Sequence, residues 1–145
     1  MHDRANQKVL VIDDDVVLGR AIARVLSVTY EVTVLVDPRA AVEALRGGAR
    51  FDAILCDVMM PGMTGVDVFE ALGGELREQR DRMIFMTGGV LTERAQEFLD
   101  ALVDPFLLKP VPRVQLEAAV REVVDRGRVG RGVAPVPTPR ARSTS

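Results

Sequence analysis

Four places in the chain carry side chains suited to phosphate or metal chemistry: Asp13-Asp14-Asp15, Asp57, Thr87 and Lys109. Each follows a short apolar run, namely Val9-Leu10-Val11-Ile12, Ala53-Ile54-Leu55-Cys56, Met83-Ile84-Phe85-Met86 and Phe106-Leu107-Leu108. Carboxylates crowded into one cleft repel one another and call for a cation. With no histidine or thiolate cluster among them, the ion expected is hard and oxygen-ligated, and Mg²⁺ is the usual one beside phosphoryl groups. An ammonium and a hydroxyl donor in the same place would complete a pocket for a small, highly charged anion.

Taken singly, these residues have plainer readings. Aspartate is a good N-cap and acids suit the first turn of a helix, so the triplet alone serves equally well as a capping sequence. Thr87 reads as a strand threonine, Phe106 as a core residue, and Lys109-Pro110 as a solvated lysine before a helix-starting proline. Spacing to Lys109 and to the breaker glycines Gly88-Gly89 outweighs the plain reading for Thr87, and less firmly for Phe106. Lys109 is one of only two lysines in an arginine-rich chain, which favours a specific role. Cys56 reads as inert core, and His2 lies in an unanchored terminus, so neither is a site candidate.

The elements that must position these groups alternate along the chain. The β-branched run at 9–12 predicts a strand buried on both faces, as in a parallel sheet. Leu18, Ala21, Ile22, Val25 and Leu26 recur at helical spacing after it. Tyr30 to Val36 predicts a second strand. Asp37-Pro38 then opens a second helix carrying Val42 and Leu45, which Gly47-Gly48 ends. After the run at 53–56 comes the breaker-rich loop Met60-Pro61-Gly62-Met63-Thr64-Gly65. Val66, Phe69, Leu72 and Leu76 predict a third helix, weakened in its middle by Gly73-Gly74 at about 1 kcal/mol per glycine. A fourth carries Leu91, Ala95, Phe98, Leu99 and Leu102, and a fifth carries Leu116, Ala119, Val120, Val123 and Val124. Five strand-helix units imply an α/β fold, a doubly wound five-stranded parallel sheet with helices on both faces, because parallel crossovers need a covering helix. Ligands bind such sheets beyond the carboxyl ends of the strands, where the candidate residues fall.

At 145 residues and 48% hydrophobic, the chain has room for one domain with one real core. The formal charge of -2 suggests neither a nucleic-acid nor a membrane-surface binder. Arg128, Arg131, Arg140 and Arg142 sit in an acid-free end segment, so residues 1–127 are more acidic than the total. The expected organisation is an N-terminal extension at 1–7, a domain at 8–127 and a disordered Arg/Pro-rich tail at 128–145. One cysteine, no signal-peptide pattern and no apolar stretch near the roughly 20 residues of a membrane helix make the expected location a reducing cytoplasm.

Over residues 8 to about 126 the sequence resembles the receiver domains of bacterial two-component response regulators, the small chemotaxis regulator among them. The resemblance rests on Val-Leu-Val-Ile-Asp-Asp-Asp at strand one, Asp57-Val-Met-Met-Pro61-Gly-Met-Thr-Gly65 at strand three, Met-Thr87-Gly-Gly at strand four and Phe106-Leu-Leu-Lys109-Pro110 at strand five. It implies a flavodoxin-like strand order, 2-1-3-4-5, and assigns roles by position. Asp57 is similar to the phosphoacceptor. Asp13 and Asp14 resemble the acidic pair that, with Asp57 and the Met59 main-chain carbonyl, holds Mg²⁺ or Mn²⁺. Thr87 and Lys109 resemble the pair that contacts the phosphoryl oxygens, and Thr87 with Phe106 the switch that turns inward on activation. The implied partners are a sensor histidine kinase or phosphotransfer protein. A downstream protein target or a second copy would dock on the face made by helix four (about 91–102), strand five and helix five (about 113–126). The implied protein is a switch and no enzyme beyond its own phosphorylation and dephosphorylation. No helix-turn-helix pattern or enzyme domain follows residue 127, so direct DNA binding is not expected.

Met59 and Gly89 stand where side chains of that family tune dephosphorylation, and neither side chain can hydrogen-bond a water, which leaves the lifetime of the phosphoryl group open. A haloacid-dehalogenase-type phosphatase uses similar groups but needs a second aspartate two residues after the nucleophile, where this chain has Met59. A flavin carrier would find its phosphate repelled by Asp13 to Asp15. A phosphorylation-independent pseudo-receiver would have lost Asp57, Lys109 or the acid pair, and all are present.

Overall fold

The computed structural model describes residues 6–129. Five parallel strands, β1 (Lys8–Ile12), β2 (Glu31–Leu35), β3 (Ala53–Asp57), β4 (Met83–Thr87) and β5 (Leu107–Leu108), form one sheet in the order β2-β1-β3-β4-β5. Six helices accompany them: α1 (Val16–Leu26), α2 (Pro38–Arg46), α3 (Gly65–Ala71), α4 (Arg77–Arg80), α5 (Glu93–Ala101) and α6 (Arg113–Val129). This is the doubly wound α/β fold in the expected strand order.

Strand alternation builds the two cores. Side chains one residue apart leave a strand on opposite faces. Leu10, Ile12, Ile54, Cys56, Met83 and Phe85 therefore share one face, packed on α2, α3 and α5. Val9, Val11, Ala53, Leu55, Ile84 and Met86 share the other, against α1 and α6. Every residue of β3 and β4 is buried, which is why those runs are apolar without a break. Residues 9–12 of β1 are fully buried as well.

The third helix differs from expectation. Instead of running through Leu76, α3 stops at Ala71, and Gly74 takes a left-handed backbone (φ 64°) that begins a short 3₁₀ turn at Gly74–Leu76 before α4. Gly73-Gly74 therefore breaks the helix rather than weakening it, and the count rises from five helices to six. Leu76 still reaches the core. Strand five is also shorter than expected: Phe106 precedes β5, which has two residues. The expected fourth and fifth helices correspond to α5 and α6, with Leu91 and Leu102 just outside α5. The expected extension reaches to Gln7, which is already buried, with its carbonyl accepting from the Glu31 N–H at 2.9 Å. α6 runs through Val129 and takes in the first two residues of the expected tail. Residues 1–5 and 130–145 lie outside the described residues.

The β3–α3 junction is closely packed, backbone against backbone. Thr64 caps α3 in a reciprocal box: its Oγ1 accepts from the Asp67 N–H at 3.2 Å, and Asp67 Oδ2 accepts from the Thr64 N–H at 2.9 Å. Gly65 lies so close to β3 that an added Cβ would stand 2.6 Å from the Asp57 carbonyl oxygen and 2.9 Å from Val58 Cα. Both are backbone atoms and cannot rotate away. Gly65→Ala is therefore expected to cost about 1–3 kcal/mol of stability, as overpacking does. Urea unfolding checks this, and a wild-type midpoint would refute the packing account.

The same box makes α3 acid-sensitive. The Thr64 N–H chiefly, with the Thr64 hydroxyl and Arg94 adding, holds the Asp67 carboxyl below its ordinary value near 3.8. A depressed folded value gives stability that is complete above the unfolded value and is lost as pH falls through the folded one. Asp67→Asn should therefore destabilise by about 0.5–1 kcal/mol at pH 7, the range for a partly exposed charge at a helix N-terminus. The gap to wild type should close as acid protonates Asp67. Unfolding curves from pH 7 downward read this directly, and a gap that stayed constant would contradict it.

Candidate functional site

The acid triplet divides its labour. Asp15 caps α1, its Oδ1 accepting from the Leu18 N–H at 3.1 Å. Asp13 is fully buried: its N–H donates to the Leu35 carbonyl at 3.2 Å, and its Oδ1 accepts from the Asp15 N–H at 2.9 Å. Asp14 stays exposed. The capping reading thus holds for Asp15, while Asp13 and Asp14 are left facing the sheet end.

Neighbouring strands bring Asp57 to the same place. In the β1–β3 ladder Ile12 stands opposite Cys56, so the residues that follow, Asp13 and Asp57, leave their strands at one level. Oxygens of Asp13, Asp14 and Asp57 all lie within 4.8 Å of one another. Lys109 reaches the group from beyond β5: its Nζ is 2.8 Å from Asp13 Oδ2 and 3.1 Å from Asp57 Oδ2. The other Asp57 oxygen, Oδ1, accepts from the Met59 N–H at 3.2 Å.

Thr87 ends β4 with its hydroxyl buried and, among the described residues, without a hydrogen-bond partner. Its carbonyl accepts from the Lys109 N–H at 2.8 Å. Gly88 makes the crossing of Lys109 possible, since a Cβ there would stand 2.8 Å from Lys109 Cβ and 3.3 Å from Cδ. Phe106 is half-buried and packs against the α2/α3/α5 core. The structure therefore brings Asp13, Asp14, Asp57 and Lys109 together, with Thr87 beside them and Phe106 apart. The sequence shows Gly65 and Gly88 only as breakers and as members of the stretches that carry the family resemblance; Gly88 stands directly after Thr87, whereas Gly65 lies eight residues past Asp57.

The electrostatics follow from burial. Burial pushes the Asp57 carboxyl above its ordinary value, and the Asp13 charge adds to this, while Lys109 and the Met59 N–H pull it back. For Lys109, burial alone would lower the value, but hydrogen bonds and charge from Asp13 and Asp57 outweigh it and hold the ammonium protonated. Burial, with Asp57 and Asp13 adding, raises the Cys56 thiol, so Cys56 stays neutral and unreactive. A set of three clustered carboxylates, one of them exposed, fits a hard divalent ion that retains waters.

Comparison with known proteins agrees with this architecture. The sequence profile of the response regulator receiver domain family matches residues 9–121. The transcriptional regulatory protein TcrA of Mycobacterium tuberculosis is 34% identical over 128 residues, covering 86% of this chain and 48% of that protein. The aerobic respiration control sensor protein ArcB of Escherichia coli is 31% identical over 121 residues, covering 81% of this chain and 15% of that protein. The chain thus spans about half or less of the length of these curated relatives. Among solved structures, the receiver domain of the Francisella response regulator 1452 superposes with a TM-score of 0.68 at 27% identity, over 83% of this chain and 98% of that one. The chemotaxis response regulator CheY4 of Vibrio cholerae gives 0.66 at 30%, over 81% and 98%. With the profile running unbroken from the first strand into the last helix, this chain belongs to the response regulator receiver domain family, the signalling modules of two-component systems.

Proposed function

We propose that Asp57 is the phosphoacceptor of a two-component switch, charged by a sensor histidine kinase or a phosphotransfer protein in the cytoplasm. The observation that carries this reading is the buried Asp57 carboxylate at a strand end, with Lys109 Nζ at 3.1 Å and the Asp13 and Asp14 oxygens within 4.8 Å. Phosphoryl transfer needs a positioned nucleophile and cations against the equatorial oxygens. An Asp57 oxygen attacks the phosphorus of a phosphohistidine or a small acyl phosphate. The bond from phosphorus to the donor breaks, its electron pair leaves with the donor, and an acyl phosphate forms on Asp57. Water later cleaves that bond and releases inorganic phosphate, which makes the switch self-limiting.

Residues of the chain divide the work. Asp13, Asp14, Asp57 and the Met59 main-chain carbonyl would hold Mg²⁺ or Mn²⁺, which when bound supplies positive charge at the phosphoryl oxygens. Lys109 supplies the second charge. The partnerless Thr87 hydroxyl is a donor for a phosphoryl oxygen, and a charge-assisted bond there would draw the end of β4 inward. Phe106, half-buried just before β5, would turn with it and reshape the α5–β5–α6 face for a protein target or a second copy. No helix among the described residues is long and apolar enough to cross a membrane, in keeping with a cytoplasmic switch.

Incubation with acetyl phosphate and Mg²⁺ should add about 80 Da, one metaphosphate unit. The shift should vanish in chelator and in Asp57→Asn. Mass addition that survived the substitution would overturn the assignment.

Asp14→Ala should slow that labelling and weaken Mg²⁺ binding by at least about tenfold, the cost of losing even an outer-shell partner at a metal site. Because Asp15 caps α1, the unfolding free energy should stay within about 0.5 kcal/mol of wild type. A larger stability loss would mark Asp14 as structural.

A further inference from the structure

We propose that Arg94 is a restraint on α5: its guanidinium clasps that helix to α3 and biases the unphosphorylated domain toward its resting arrangement. The proposal rests on the reading of Asp57 as phosphoacceptor and of α5 as part of the responsive face.

Arg94 Nη1 lies 3.1 Å from Asp67 Oδ1, and Nη2 lies 2.8 Å from Glu70 Oε1. Asp67 and Glu70 are three residues apart and so share one face of α3, where a planar guanidinium spans both. Arg94 is the second residue of α5, where the helix's own dipole disfavours a cation. Two acids on the facing helix account for a charge that α5 alone would reject. Beneath the fork, Phe98 of α5 meets Phe69 of α3 edge-on at 5.0 Å and Phe85 of β4 at 5.1 Å. The ion pairs thus close over an apolar contact.

The α3 end of the clasp leads back to the phosphoacceptor. Asp67 completes the Thr64 capping box, the Gly65 N–H donates to the Val58 carbonyl at 2.8 Å, and Gly65 packs against the carbonyl of Asp57 itself. Backbone contact at Asp57, the Thr64–Asp67 box and the Arg94 fork form a continuous connection to α5 that bypasses Thr87 and Phe106. Movement of the β3–α3 loop when Asp57 gains a phosphoryl group would shift Asp67 and strain the fork. Loss of the fork, conversely, would release α5 without phosphorylation. All three side chains are partly exposed, so the bias expected is between about 1.5- and 5-fold in the equilibrium. Salt should weaken it.

The test uses the full chain as wild type, Arg94→Gln, Arg94→Glu and the charge swap Arg94→Glu/Glu70→Arg. The swap places each charge where its own helix dipole prefers it. Without phosphodonor, α5 amides should exchange about 1.5- to 5-fold faster in both single variants, return toward wild type in the swap, and exchange faster in wild type at high salt. Acetyl phosphate labelling of Asp57 and beryllofluoride binding should rise by the same factor, since the state preferring the phosphoryl group is more populated. Unchanged α5 exchange in Arg94→Gln overturns the clasp. Faster exchange with unchanged labelling overturns the bias and leaves only a structural tie. In both cases wild-type labelling still stands and the Asp57 reading with it. Absence of wild-type labelling would instead sink that reading, and the proposed bias with it.

Discussion

Three carboxylates within 4.8 Å of one another at one end of a sheet, two of them buried, would repel and destabilise the fold unless a cation stood among them. In the structure that cation is Lys109. Strand order supplies the acids: β1 and β3 are neighbours, and the Ile12–Cys56 pairing delivers Asp13 and Asp57 at one level. It does not supply the lysine, because β5 is separated from β3 by β4. Lys109 must reach across the end of β4, and its aliphatic stem lies where a Cβ of residue 88 would be. A long side chain and a glycine are therefore one requirement seen from two strands.

Such a buried ion group is an unfavourable way to stabilise a domain. Desolvation offsets much of the attraction, and well-packed apolar residues of similar volume often do as well or better. Stability comes instead from the two apolar layers on the faces of β1, β3 and β4. The charged end of the sheet is the part assigned to chemistry in the proposed function, and burial leaves its signature there in the raised Asp57 carboxyl, which Lys109 only partly offsets.

The parts of this arrangement that were legible in the sequence are those set by local rules. Central strands buried on both faces read as continuous apolar runs, and their ends mark where the candidate groups stand. Residue types alone locate the acid triplet without dividing it, because which aspartate caps α1 depends on where the chain turns; only the family resemblance singles out Asp13 and Asp14, and the cap on α1 falls to Asp15. Gly73-Gly74 was visible as a weak point, yet whether two glycines weaken or end a helix is decided by the left-handed turn that Gly74 adopts. β5 was overextended to Phe106 because an apolar run says nothing of how many residues find a pairing partner. The roles of Gly65, Gly88 and Arg94 were hidden for a common reason. Each depends on atoms that are remote in sequence or belong to backbone, and periodicity carries no information about either.

The brevity of β5 links the site to the surface. Only Met86–Leu107 and Thr87–Leu108 pair β5 with β4, and the Lys109 N–H donates to the Thr87 carbonyl just beyond. A strand held by so few bonds belongs to the low-stability end of a domain, where small local energies shift populations. Its attachment point is Thr87, whose buried hydroxyl has no hydrogen-bond partner among the described residues. Leu108 of β5 is itself an exposed apolar side chain, so a displacement of this strand would move apolar surface. In the proposed mechanism, a pull on Thr87 is thus delivered to the most weakly held strand of the sheet, while α5 is held separately by α3. In that mechanism the resting state would be defined by two attachments of different kinds, backbone pairing at β5 and the arginine fork at α5, and a phosphoryl group on Asp57 would act at the base of both.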